Sequence, residues 1–192
     1  MREIYNLAFY RCHQFPHRSL FWGGMQFPVC VRDTGITMGF LAGILAIYLA
    51  KNHRSKNVDP RMLLLLVPMA IDGVFQLLGV WQSIFVSRFL SGLLSGFAIA
   101  IVFVSLLQRE KGEMVPNRKS VMYFGIVSVP LFIGYWMIEL GYNIGVAGEI
   151  LFWLIVWSVP FIYFVMGIAV IAVGLILFRK ITDEMGELLD RD

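Results

Sequence analysis

Cys12, His13, His17, Cys30 and Asp33 bring two thiols, two imidazoles and a carboxylate into the first 35 residues, directly against the first long apolar segment. Thiolate, imidazole and carboxylate are the donors zinc accepts, as four protein ligands or as three plus water. Adjacent side chains diverge on regular elements, so Cys12 and His13 are awkward as joint ligands. His17, one turn along if the stretch is helical, is the better placed nitrogen donor. Two other readings use the same residues. Cys12 and Cys30 can close a loop as a disulfide in an oxidising compartment, or the thiols can be small buried hydrophobes beside satisfied histidines. Spacing leaves all three open.

Arg18, Arg32 and Arg88 form a second set. Guanidinium forks match phosphate and carboxylate groups, so three of them at one face can hold an anionic lipid headgroup. Taken singly they have simpler uses: Arg18 can snorkel to an interface, and Arg32 can pair with Asp33 or Glu139. Together with a metal they would suit a phosphorylated or lipid-linked substrate.

The elements that position these groups follow from composition. Of 192 residues, 58% are hydrophobic and 15% charged, and the mean hydropathy is +0.74. These values belong to an integral membrane protein rather than a soluble domain. About 20 apolar residues cross the hydrocarbon as a helix. Five segments qualify: Thr34 to Ala50, Met62 to Trp81, Ile84 to Leu107, Ser120 to Leu140 and Ile150 to Phe178. The expected fold is an all-α, polytopic transmembrane helix bundle of five spans. Six is the alternative if Pro160 splits the last one. The chain reads as one membrane domain: a motif segment over 1–33, a bundle over 34–178 and a tail over 179–192. The amino terminus lacks the continuous apolar core of a cleavable signal, so the first span is expected to act as its own insertion signal.

Lysine and arginine collect after the first span (Lys51, Arg54, Lys56, Arg61), after the third (Arg109, Lys111, Arg118, Lys119) and at Arg179-Lys180. Positive loops stay inside, which predicts a multi-pass protein of the cell membrane with a cytoplasmic carboxyl terminus and an external amino terminus. Arg2, Arg11, Arg18 and Arg32 oppose that orientation. The net charge of +3 follows from these basic loops and gives no reason to invoke nucleic acid.

An ionisable group inside a span is costly and usually faces the bundle interior with a partner. Asp72 is such a group, and Gln76 lies one turn further on the same helix face. Arg88, at a similar depth on the next span, is its expected partner, either as a structural pair or as a substrate or proton site. Gly35, Gly39 and Gly43 on the first span, and Gly92 and Gly96 with Ser87, Ser91 and Ser95 on the third, allow close helix approach. That packing would gather Asp33, Asp72, Gln76 and Arg88 at one end of the bundle, with the amino-terminal residues capping them.

Three runs carry a resemblance to a known family. They are Cys12-His13-Gln14 with Pro16 and Arg18-Ser19; Gln26-Phe27-Pro28-Val29-Cys30-Val31-Arg32-Asp33-Thr34-Gly35; and Asp72-Gly73 with Gln76-Leu77-Leu78-Gly79 and Arg88. In this order they resemble a family of small membrane proteins, domain of unknown function 2085. The resemblance covers roughly the first 100 residues; the last two spans match only in being hydrophobic. It implies a multi-spanning membrane protein of bacteria and archaea and no particular activity. Members of the family this chain resembles often read Cys-x-Arg-Cys-Thr-Gly where it has Cys30-Val31-Arg32-Asp33-Thr34-Gly35. Aspartate cannot serve in a dithiol couple but can serve as an anionic metal ligand. At a helix start it can also simply complement the helix dipole.

The tail is acidic beyond Arg179-Lys180 and reads as a solvated helix extension. No nucleotide loop, Gly-x-Ser-x-Gly elbow or His-Glu-x-x-His helix occurs in the sequence. Two functions of different class fit. One is a carrier or a subunit of a membrane complex, with membrane lipids and other membrane subunits as partners and a polar site for a metal ion or lipid headgroup. The other is a metal-dependent membrane enzyme in which Asp72, Gln76 and Arg88 take part in catalysis. Metal analysis of detergent-purified protein separates the readings of the thiols. Stoichiometric zinc that is lost in Cys30→Ser and in Asp33→Ala is the outcome expected of the metal site, whereas a quantitative Cys12–Cys30 bridge in non-reducing mass spectrometry supports the disulfide.

Overall fold

The computed structural model describes residues 2–10, 14–51, 58–107, 116–165 and 167. Cys12, His13 and the tail over 179–192 lie outside the described residues. Five helices are long and apolar enough to cross a membrane, and the protein is an all-α membrane bundle. After a short amphipathic helix α1 (Arg2–Phe9), a 3₁₀ turn (Pro16–Arg18) and a hairpin of β1 (Phe21–Trp22) and β2 (Met25–Gln26), the spans begin. They are α2 (Val31–Leu49), a 3₁₀ stretch (Pro60–Leu66) continuing into α3 (Val67–Leu77), α4 (Phe85–Leu107), α5 (Arg118–Glu139) and α6 (Val146–Val165).

Local chemistry sets these boundaries. Asp59 caps the 3₁₀ stretch by accepting from the Arg61 amide at 3.0 Å, with Pro60 at the first helical position, where no amide is needed. Asn117 and Ser120 form a reciprocal capping box at the start of α5. Helices α3 and α5 both stop at a glycine in the left-handed region, Gly79 (φ 70°) and Gly141 (φ 77°). The amides of Val80 and Tyr142 return to the carbonyls of Phe75 and Met137, closing both ends in the same way. Pro160 does not split the last span: the helix runs through it to Val165. Five spans, not six, are present among the described residues. Whatever follows Gly167 in the expected Ile150 to Phe178 segment lies outside them.

The tightest pairing joins α2 to α4, which run parallel. Cβ atoms added at Gly35 and Gly39 would overlap the carbonyls of Phe89 and Leu93, and those at Gly92 and Gly96 would overlap the carbonyls of Arg32 and Ile36. The two backbones are therefore in direct contact, as the four-residue glycine spacing predicts. Helix α5 packs antiparallel alongside, with Phe97 and Phe124 stacked at 4.0 Å. The Tyr135 hydroxyl donates to the Leu151 carbonyl on α6 at 2.9 Å.

The amino-terminal segment is built into this bundle. Leu20, Phe27 and Val29 are fully buried, and Phe27 meets Tyr135 and Phe152 edge-on at 6.0 and 5.1 Å. The Trp22 ring lies flush on Gly148, where no side chain would fit. Tyr5 donates to the Gln26 carbonyl, and burial pushes its phenol above the ordinary range. Tyr163 on α6 donates to the Leu7 carbonyl at 3.1 Å, fixing α1 to the bundle.

Overpacked interiors lose about 1–3 kcal/mol per inserted group. Gly39→Ala combined with Gly96→Ala is expected to lower the thermal midpoint in detergent by several degrees. Gly125→Ala, whose Cβ meets nothing within 4 Å, leaves the midpoint unchanged.

Candidate functional site

Two polar arrangements share one end of the bundle. In the first, Arg32, in the opening turn of α2, forms an ion pair with Asp72 of α3 and donates to Gln76 Oε1 at 3.3 Å. The four-residue spacing of Asp72 and Gln76 puts both on the face that meets this guanidinium. Asp72 is buried, with 8% of its side chain exposed, and Arg32 retains 21%. The Arg32 Nε is buried without a hydrogen-bond partner. Asp72 therefore pairs with Arg32, not with Arg88 as depth along the sequence suggests, and Arg32 does not pair with Asp33 or Glu139. The cause is the close contact of α2 with α4: it seats the Arg32 backbone on Gly92, and from there the long side chain reaches α3. Arg88, in the first turn of α4, is held by Ser83 instead, to whose hydroxyl its Nε donates at 2.8 Å.

The second arrangement is a cavity of about 440 Å³ between the amino-terminal segment and the starts of α2 and α4. His17, Arg18, Ser83, Arg88 and Glu139 supply its polar wall, and Phe21, Val31 and Phe85 its apolar one. The 3₁₀ turn is held by local contacts: the Ser19 hydroxyl donates to the Phe15 carbonyl at 3.1 Å, and the Arg18 guanidinium lies 5.4 Å from the centre of the Phe15 ring. The Arg18 Nε–H donates to His17 Nε2 at 3.1 Å, which uses the lone pair that a metal ion would need at that atom. Arg18 and Arg88 share the cavity wall, and the Arg32 backbone lies against Gly92, one turn from Arg88, so the three arginines singled out by residue type converge on one end of the molecule. Only Arg18 and Arg88 line the cavity; Arg32 is committed to Asp72.

Of the proposed metal ligands among the described residues, Cys30 and Asp33 come together, but no third one joins them. No group of three His, Cys, Asp or Glu side chains there can hold an ion, and Cys12 and His13 lie outside those residues. Cys30 precedes α2 and its thiol donates to Asp33 Oδ2 at 3.5 Å. Asp33 itself sits in the first turn of α2, where a carboxylate complements the helix dipole. Glu139 and Ser83 are members of the cavity that residue spacing does not reveal. The one available signal is that each lies at the edge of a span, beside the turn that leaves it.

Fold and cavity together define a multi-spanning α-helical membrane protein with a polar pocket at one end of its bundle. The chain belongs to the predicted membrane protein family named domain of unknown function 2085, whose model matches residues 12–102. It is 38% identical over 93 residues to an uncharacterized protein of Methanothermobacter thermautotrophicus, covering 48% of this chain and 84% of that one. It is 33% identical over 105 residues to an uncharacterized protein of Methanocaldococcus jannaschii, covering 54% of this chain and 65%, just under two thirds, of that relative. No solved structure matches. The family match takes in Arg18, Arg32, Asp72, Gln76 and Arg88 and stops before α5, which carries Glu139.

Removing one member of a buried ion pair leaves the other uncompensated, at a cost of roughly 3–5 kcal/mol when both are fully buried. Asp72→Asn is expected to destabilise the protein by an amount toward the lower end of that range, read as a lowered thermal midpoint, since Arg32 is partly exposed. The exchange Arg32→Asp with Asp72→Arg recovers most of the loss, and exchanging Asp72 with Arg88 recovers none.

Proposed function

We propose that this is a non-catalytic membrane protein, a small carrier or a subunit of a membrane complex, whose cavity holds a phosphate-bearing group such as an anionic lipid headgroup. The observation that carries this reading is the 440 Å³ cavity with Arg18 and Arg88 in its wall. Its size falls within the span typical of small-ligand sites, and guanidinium forks are suited to phosphate oxygens. The apolar side, Phe21, Val31 and Phe85, suits the carbon skeleton that follows a headgroup. The cavity lies where α2 and α4 begin and α5 ends, at the margin of the apolar spans, which is the level of lipid headgroups.

A non-catalytic role is favoured because Asp72, the one buried carboxylate among the described residues, is engaged by Arg32 and Gln76 rather than presented to the cavity. The enzyme alternative would depend on a metal set that includes Cys12 and His13.

Losing a charge-assisted contact to phosphate costs about 1.5–3 kcal/mol, or roughly tenfold or more in affinity. In native mass spectrometry or titration of detergent-solubilised protein with phosphatidylglycerol, Arg88→Gln is expected to weaken binding by about this factor. Arg118→Gln, at the start of α5 and far along the bundle, leaves it unchanged. Equal binding by wild type and Arg88→Gln overturns the assignment.

A further inference from the structure

The cavity that the preceding reading gives to phosphate also contains an acid, and a site built only for an anion has no use for one. Glu139, the last residue of α5, shares the wall with Arg18 and Arg88. The Arg32–Asp72 contact is the ion pair found among the described residues, so neither cavity arginine lies within 4 Å of Glu139. Opposite charges thus face one open pocket without pairing with each other. Against a plain phosphate or phosphodiester, a carboxylate in the wall is repulsive and weakens the site. Against a molecule carrying a phosphate and a cationic amine a few bonds apart, each wall meets its complement: guanidiniums the phosphate, and Glu139 the ammonium. Ser83, whose hydroxyl already orients Arg88, holds the fork toward the phosphate end.

We infer that the cavity recognises a zwitterionic aminophosphate, a phosphate ester bearing a primary ammonium group, with Arg18 and Arg88 on the phosphate and Glu139 on the amine. This inference rests on the phosphate-binding reading and goes beyond it by naming the second charge on the ligand. The same chemistry is offered by the headgroup of an ethanolamine phospholipid and by soluble phosphoethanolamine.

The test compares the full-length protein, wild type and Glu139→Gln, in vesicles or nanodiscs containing phosphatidylethanolamine or phosphatidylglycerol, and in detergent with phosphoethanolamine or inorganic phosphate. Wild type is expected to prefer the amine-bearing member of each pair by about fivefold, the size appropriate to an ion pair at an exposed carboxylate. Glu139→Gln is expected to abolish the preference while leaving phosphatidylglycerol and phosphate binding equal to wild type or tighter. A preference seen only in the bilayer assigns the ligand to lipid, and one seen with phosphoethanolamine alone assigns it to a solute. Equal binding of both members, unaltered in Glu139→Gln, overturns the zwitterion and leaves the phosphate reading standing. Binding of no member by folded protein, with an unchanged thermal midpoint, overturns both.

Discussion

Two helices surrounded by lipid gain little hydrophobic energy by exchanging lipid for each other, so the pairing of α2 with α4 depends on shape. Gly35, Gly39, Gly92 and Gly96 remove the side chains that would hold the two backbones apart. Van der Waals contact along the whole seam then replaces the missing solvent-driven force. The rest of the structure is referenced to that seam. It fixes the height of Arg32 against Gly92, and so decides which carboxylate Arg32 can reach. It sets Arg88 one turn before Gly92, at the rim where the amino-terminal segment folds over. A side chain at any of the four glycines would separate the helices and move both arginines.

The two polar arrangements at this end do different work. Arg32 and Asp72 neutralise each other where an isolated charge would be costly. They also bind α3 to a bundle with which it otherwise shares little: 6% of its apolar stretch is buried, against 61% for α2. The cavity is the reverse case. Its arginines and Glu139 are kept apart by the turn at Pro16–Arg18, by the start of α4 and by the end of α5, and their charges remain directed at a common space. One set of charges holds a helix in place, and the other lines the cavity.

Much of this was legible in the residues. The five spans follow from apolar length, the α2–α4 seam from glycine spacing, and the shared face of Asp72 and Gln76 from the helical repeat. The partner of Asp72 was not legible, because counting depth along two spans ignores how far a guanidinium reaches sideways from a third. Pro160 suggested a break that the helix does not make. A proline removes one amide, and within a membrane bundle neighbouring groups and small local adjustments accommodate the freed carbonyl. Phe27 and Val29 are core residues, which was not legible, because nothing in a short irregular stretch announces which aromatic pocket will receive it. Glu139 was legible as a charge within reach of an arginine, but its place in the cavity depends on α5 ending beside the 3₁₀ turn. The amino-terminal cluster of thiols and imidazoles was legible as a group of donors, but Cys12 and His13 fall outside the described residues.

The order of the charged residues along the chain has a bearing on biogenesis. Arg32 and Asp72 sit on successive spans, α2 and α3, while the glycines that complete the seam with α2 lie further along the chain on α4. An arginine and an aspartate entering the bilayer on successive helices can neutralise each other before α4 exists, so that neither needs to wait in lipid as a bare charge. The salt link itself requires only α2 and α3 to be present. When α4 takes up its place along α2, α3 is left at the margin with its one strong tether already tied.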